Sequence, residues 1–265
     1  MMNWPNALHV FEARQYPQNY HRFRTQVAAF RTMRCMIQPN PIAMFSRFPV
    51  SVIIALISIA VTLRYKMAAP SPAIEIFIGS AVPLEKQPWL LFTTIFPHGN
   101  LMHIFFNLSA WWYFARVTEA IWGPSKLLGV TILTAIISSA AEIALFRGGI
   151  GLSGVVYALV AMIYVVQQKD PRFAGVVTSK TAKLFAVWFV VCIFLTVFDI
   201  MAVGNVAHGV GALSGAMIGW AAVSEKSKRP MHIAAIVGLA VVSLVGATIA
   251  RPYVNIESRF ATPGK

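Results

Sequence analysis

Apolar residues along this chain gather into seven runs, at about 49–63, 101–118, 127–146, 152–167, 182–201, 203–223 and 231–250, with polar or basic stretches between them. A helix that crosses a bilayer needs about 17 to 25 residues. Most runs therefore predict spanning helices, while the first and the fourth are short for that task. Two segments break the rhythm. Residues 1–48 are polar and basic, with Arg14, Arg22, Arg24, Arg31, Arg34 and Arg47 against a lone Glu12, and hold no apolar core of signal-peptide length. Residues 64–100 carry Pro70, Pro72, Pro83 and Pro88 amid Ile74, Ile76, Phe77, Trp89, Leu91 and Phe92. A connection this long either has a task or is disordered, and its aromatic and apolar content predicts a segment lying in the membrane interface.

Composition strengthens this reading. Of the 265 residues 57% are hydrophobic and 12% charged, with a mean hydropathy of +0.67, far from the balance of a soluble domain. The expected fold class is an all-α polytopic membrane protein. The net charge of +13 would suit nucleic acid, but the charges sit between the apolar runs, as loop charges do, so no nucleic acid is expected. With the N-terminus inside, 15 of the 22 Lys and Arg residues face the cytoplasm, which the positive-inside rule favours. The seventh run then leaves the C-terminus outside. Cys35 and Cys192 match no metal-ligand spacing and are poorly placed for each other, so neither metal, cofactor nor disulfide is expected.

Strongly polar groups inside spans are costly and mark candidate function. They are His103 and Asn107 in the second run, Glu142 near the outer end of the third, Ser153 and Tyr157 in the fourth, Asp199 at the end of the fifth and His208 in the sixth. In the inside-N topology the second, fourth and sixth runs share one direction and carry His103, Ser153 and His208 near their outer ends. The fourth run spans roughly 21 Å from Ser153 to Gln167 against a hydrocarbon core of about 30 Å. Ser153 is thus expected about 10 Å below the outer surface, reached by a Gly148–Gly151 loop that dips into a wet pocket. A serine hydroxyl needs a base to become a nucleophile, and His208 is the best placed. Gly211, Gly215 and Gly219 give its helix a small-residue face that matches Gly154, Ala158 and Ala161, allowing close approach. Tyr157, one turn beyond Ser153, is placed to pack on the imidazole. His103 and Asn107, at i and i+4, share a face and would donate, with the Ser153 N–H, to an oxyanion. Taken singly, such groups are usually packing or buried hydrogen-bond partners; their joint occurrence at one depth is what points to acyl transfer. Glu142, Asp199, His98 and Glu119 are expected to be structural, Glu119 through basic loops near the inner face.

The stretches His98-Gly99-Asn100-Leu101-Met102-His103-Ile104-Phe105-Phe106-Asn107, Gly151-Leu152-Ser153-Gly154-Val155-Val156-Tyr157-Ala158-Leu159, and Ala207-His208 with Gly211 and Gly215 resemble, in this order, three motifs of the rhomboid intramembrane serine proteases, their bacterial branch above all. The resemblance covers about residues 49–223. It implies a six-helix transmembrane core in which Ser153 and His208 are catalytic, His103, Asn107 and the Ser153 backbone stabilise the oxyanion, and Tyr157, Gly151, Gly154, Gly211 and Gly215 support them. It further implies transmembrane protein substrates, cut near the outer membrane face where their helices are weak. The alternative within the resemblance is a catalytically silent relative that binds membrane clients, against which the presence of both Ser153 and His208 counts.

This sequence departs from the family in three places. Trp89 is followed by Leu90, where the family's interfacial loop has a Trp-Arg pair. The basic segment 1–48, read as a cytoplasmic tail, resembles no folded N-terminal domain of the family. The seventh helix, 231–250, lies beyond the core 49–223 in a six-plus-one arrangement, within a C-terminal part, 224–265, that ends in a short external tail. The expected home is the bacterial inner membrane. The Arg-rich, acid-poor tail leaves a mitochondrial inner membrane as the alternative, and Met36 and Met44 leave other starts. The sequence carries no mark of an oligomeric state.

Overall fold

The computed structural model describes residues 41–67, 84, 87–146 and 148–250. Most of the basic N-terminal segment, most of the proline-rich connection and the tail 251–265, expected to be external, lie outside the described residues. The elements are helical: α1 Pro41–Arg47, α2 Pro49–Met67, α3 Leu90–Thr93, α4 Leu101–Trp122, α5 Pro124–Leu145, α6 Ser153–Val166, α7 Ser179–Val197, α8 Asn205–Val223 and α9 Arg229–Val245, which runs on into a π-helical turn at Gly246–Ala250.

Local chemistry sets the helix ends. Asn100 caps α4, its side chain accepting the His103 N–H at 2.8 Å, and Thr178 caps α7 through the Thr181 N–H at 3.1 Å. Pro124 and Pro230 sit in the first turns of α5 and α9, where a missing N–H costs nothing. They start both helices before the apolar runs do. α2 is longer than its run: Arg64, Tyr65, Lys66 and Met67 continue it to 19 residues, because the two cations at its C-terminal end suit the helix dipole. α7 stops at Val197, short of the predicted 201. Asp199 takes a left-handed φ of +53° beyond that end, a conformation its short polar side chain tolerates, and it is exposed.

Among the described residues five helices are long and apolar enough to cross a membrane, namely α2, α5, α7, α8 and α9 with its extension. The protein is an integral multi-pass membrane protein. α4 has the length, at 22 residues, but is diluted by His103, Asn107, Arg116 and Glu119. α6 has only 14 and lies at the centre, with most of its side chains buried against Trp111, Phe114, Leu127 and Phe173. α8 packs along the length of α6, and α9 lies against α5 and α8. α7 sits outermost, with Cys192 its one buried residue.

Polar ties fasten the first span to this core. Glu119 accepts the N–H groups of Val50 and Ser51, each at 2.9 Å, and the Ser51 hydroxyl at 2.6 Å. The expected structural role is there, but the partner is the N-terminus of α2 rather than a basic loop. Trp111 donates its indole N–H to the Ser51 carbonyl at 3.0 Å. Phe48, just ahead of α2, is fully buried, with the Arg47 and Arg116 guanidinium groups 5.6 and 5.2 Å from its ring centre. At the other edge Leu90, which stands where the family resemblance calls for arginine, is buried with Leu84, Ala140, Ile143 and Ala247. Apolar packing against α5 and the turn after α9 occupies that place. In the connection after α6, the Arg172 guanidinium chelates Asp170 at 2.7–3.2 Å and holds that carboxyl below its usual range.

Candidate active site

α5 ends at Leu145, and the backbone returns through Gly148 and Gly151, whose φ angles of +101° and +113° favour glycine. Gly151 is required twice over. A Cβ there would also stand 2.7 Å from Cε1 and Nε2 of the His103 ring. The non-helical backbone is pinned on both sides of this contact: the Gly151 N–H donates to the Thr94 carbonyl at 2.9 Å, and the Leu152 N–H donates to His98 Nε2 at 3.3 Å. His98 Nδ1 donates to the Phe96 carbonyl at 2.9 Å. One neutral tautomer satisfies both contacts, so His98 is a buried structural link between the loop before α4 and the loop before α6. Leu152 is fully buried, and Ser153 opens α6.

His208 enters from α8, buried, and its Nε2 lies 2.7 Å from the Ser153 hydroxyl oxygen. The approach depends on the glycine face predicted for α8. A Cβ on Gly211 would strike the Gly154 carbonyl oxygen, and one on Gly215 the Ala158 carbonyl oxygen; Gly219 would place one 2.9 Å from the Met162 oxygen. The matching row on α6 is therefore Gly154, Ala158 and Met162. Ala161 drops out because both rows repeat every four residues, whereas 161 is rotated away from that row. Gly154 itself has no room for a side chain, since its Cβ would meet the Ser138 hydroxyl of α5 at 2.7 Å and the Ala207 carbonyl of α8 at 3.2 Å. Tyr157 stacks on the His208 ring with centroids 4.6 Å apart and planes at 20°, while its hydroxyl donates to the Phe185 carbonyl of α7 at 3.1 Å. His208 Nδ1 is buried with no hydrogen-bond partner among the described residues.

The other expected pair shares α4. Gly99 donates its N–H to His103 Nδ1 at 3.3 Å, which leaves that nitrogen unprotonated and puts the proton of the neutral ring on Nε2, the atom that faces Gly151. Asn107 is buried, and its amide donates to the His103 carbonyl at 2.9 Å. Its partner here is thus its own helix, with a second amide hydrogen remaining. Together these groups place a hydroxyl against a basic nitrogen, and a ring N–H donor beside the loop that leads to it.

Sequence reasoning placed Glu142 at an outer helix end without a partner. Its carboxylate accepts the Ala207 N–H at 2.8 Å, one residue before His208. No local signal could have found that bond, because the two residues are 65 apart in the chain. Among the described residues no group of His, Cys, Asp or Glu is gathered as metal ligands. Cys192 is buried, and Cys35 lies outside the described residues.

Comparison with known proteins adds to this geometry. The family model described as Rhomboid domain matches residues 85–225, more than half of the chain. Among curated relatives, the chain is 34% identical over 148 residues to the Rhomboid protease GlpG of Salmonella paratyphi A, covering 55% of this chain and 52% of the relative. It is 32% identical over 182 residues to the Rhomboid protease GlpG of Klebsiella pneumoniae, covering 66% and 64% respectively. The chain thus spans about half to just under two thirds of the length of these relatives.

Proposed function

Because the chain belongs to the rhomboid family, we propose that it is an intramembrane serine endopeptidase that cleaves transmembrane segments of other membrane proteins. The observation that carries the reading is the 2.7 Å contact between Ser153 and His208. The Ser153 hydroxyl gives its proton to His208 Nε2 as its oxygen bonds to the scissile carbonyl carbon. The oxyanion that forms is met by the His103 Nε2–H, the second amide hydrogen of Asn107 and the Ser153 backbone N–H, which as the first N–H of α6 has no partner within its helix. His208 then returns the proton to the departing amine, leaving an ester on Ser153. A water molecule, deprotonated by the same nitrogen, hydrolyses the ester and restores the hydroxyl. With no acid on Nδ1 among the described residues, the stack on Tyr157 keeps the imidazole in plane.

The reaction takes place near the outer face of the membrane, at the depth of the loop before α6, with the N-terminus inside. The bacterial inner membrane fits the bacterial relatives. Substrates yield where their own helix is weak, because a helical peptide bond is shielded from attack. Purified protein reconstituted with a model transmembrane substrate tests the reading: the wild-type chain cleaves it, and Ser153→Ala and His208→Ala do not. Cleavage that survives either change would refute the dyad.

A further inference from the structure

Glu142 belongs to α5, yet its carboxylate serves α8. The N-cap of α8 is Gly204, which has no side chain to cap with. The next three residues, Asn205, Val206 and Ala207, open the helix, and their N–H groups have no intrahelical acceptor. An N-cap Ser or Asp would take the donors of the second and third of these. Here the Glu142 carboxylate takes them instead, the Ala207 N–H at 2.8 Å with the Val206 N–H beside it. It is buried and lies against both Gly204 and Gly149: a Cβ on Gly204 would be 3.5 Å from its carboxyl carbon, and one on Gly149 would be 3.6 Å from its Cγ.

The same side chain therefore touches the loop that delivers Ser153 and the helix turn that delivers His208. A bond from a carboxylate to backbone N–H groups is about twice as strong as a neutral one, and it sits at the positive end of the helix dipole. We propose that Glu142 is a positioning residue: a helix cap supplied in trans that ties α8 to α5 and thereby fixes the Ser153–His208 distance. The inference rests on the reading of the site as a serine peptidase. Loss of cleavage in Ser153→Ala establishes that reading independently, before any Glu142 variant is measured.

The discriminating variant is Glu142→Ala combined with Gly204→Asp. Gly204 has a φ of −72°, which any residue can adopt, so aspartate there caps α8 in cis without tying it to α5. Cleavage of a reconstituted transmembrane substrate and thermal unfolding are measured together. Glu142→Ala is expected to lower kcat by about tenfold to 10²-fold with KM within twofold, and Glu142→Gln, which keeps an acceptor oxygen, to recover most of the loss. The double variant is expected to regain thermal stability while kcat remains low. Wild-type kcat in Glu142→Ala, or full recovery of kcat in the double variant, would overturn the proposal, the second by showing that capping alone suffices. Should Glu142→Ala fail to fold, Glu142→Asp decides, since its carboxylate is one methylene short of α8. A reduced kcat at an unchanged unfolding midpoint supports the tie, and a wild-type kcat refutes it.

Discussion

Gly211→Ala adds one carbon and two hydrogens to the protein, at a point where no side chain can give way. The new methyl would meet the Gly154 carbonyl oxygen first, and the carbonyl carbon and Cα behind it at 2.9 and 3.2 Å. Ordinary contact begins near 3.4 Å, and the carbonyl oxygen stands closer than the carbons, so α6 and α8 must part by about 1 Å to restore normal van der Waals separation. His208 is less than one turn before Gly211, and Ser153 is next to Gly154. The displacement therefore reaches the 2.7 Å contact of the pair nearly undiminished and stretches it beyond about 3.2 Å, where such a bond weakens steeply. A misplacement of 1 Å costs on the order of 10² in rate, and an added methyl in a packed interior costs about 1–3 kcal/mol of stability. The assay is cleavage of a transmembrane substrate in liposomes, with the rate of Ser153 labelling by a fluorophosphonate as a substrate-free check. Thermal unfolding runs alongside, and Gly238→Ala serves as a control because nothing lies within 4 Å of its added methyl. A folded Gly211→Ala protein with the wild-type kcat and labelling rate would refute the claim that backbone contact sets the geometry of the pair.

Two further expectations separate holding the ring from holding the fold. Tyr157→Phe keeps the stack on His208 and loses the bond to Phe185, so it should cost about 0.5–1.5 kcal/mol of stability with kcat within a few-fold; Tyr157→Ala should lower kcat by about 10², and comparison of the two rates checks the role of the ring. Glu119→Ala leaves the Val50 and Ser51 N–H groups at the start of α2 without their charged acceptor. It should lower the unfolding midpoint by the equivalent of about 2–4 kcal/mol, while kcat per folded molecule stays at the wild-type level.

Much of the site was legible in the sequence because its parts are local. The shortness of the fourth run announced α6, and the four-residue spacing of Gly211, Gly215 and Gly219 announced a face that admits another backbone. The spacing of His103 and Asn107 put them on one side of a single helix. What was hidden involves contacts between distant segments or the competition at helix ends. Glu142 has no mark that distinguishes a trans cap from any acidic residue at the end of a helix. The choice of Met162 over Ala161 depends on the register of two helices, which neither sequence segment fixes by itself. The first span read as too short because Arg64 and Lys66 look like loop residues, although cations are favourable at that helix end. At Leu90 the expected arginine is absent, and only the fold shows that apolar residues of α5 and of the turn after α9 fill the place.

The contact of Gly211 and Gly215 with the carbonyls of α6 has a consequence for how this protein can change. In most cores an oversized residue can be tolerated once a neighbour shrinks, and second-site suppressors arise that way. Here the opposing surface at those two positions is main chain, which no substitution can trim. A screen for revertants of Gly211→Ala or Gly215→Ala should therefore return glycine itself, or changes in the connections that let α8 shift as a unit, and no compensating residue on α6. Side-chain volume is a currency that lineages of this protein can exchange almost anywhere except along that seam.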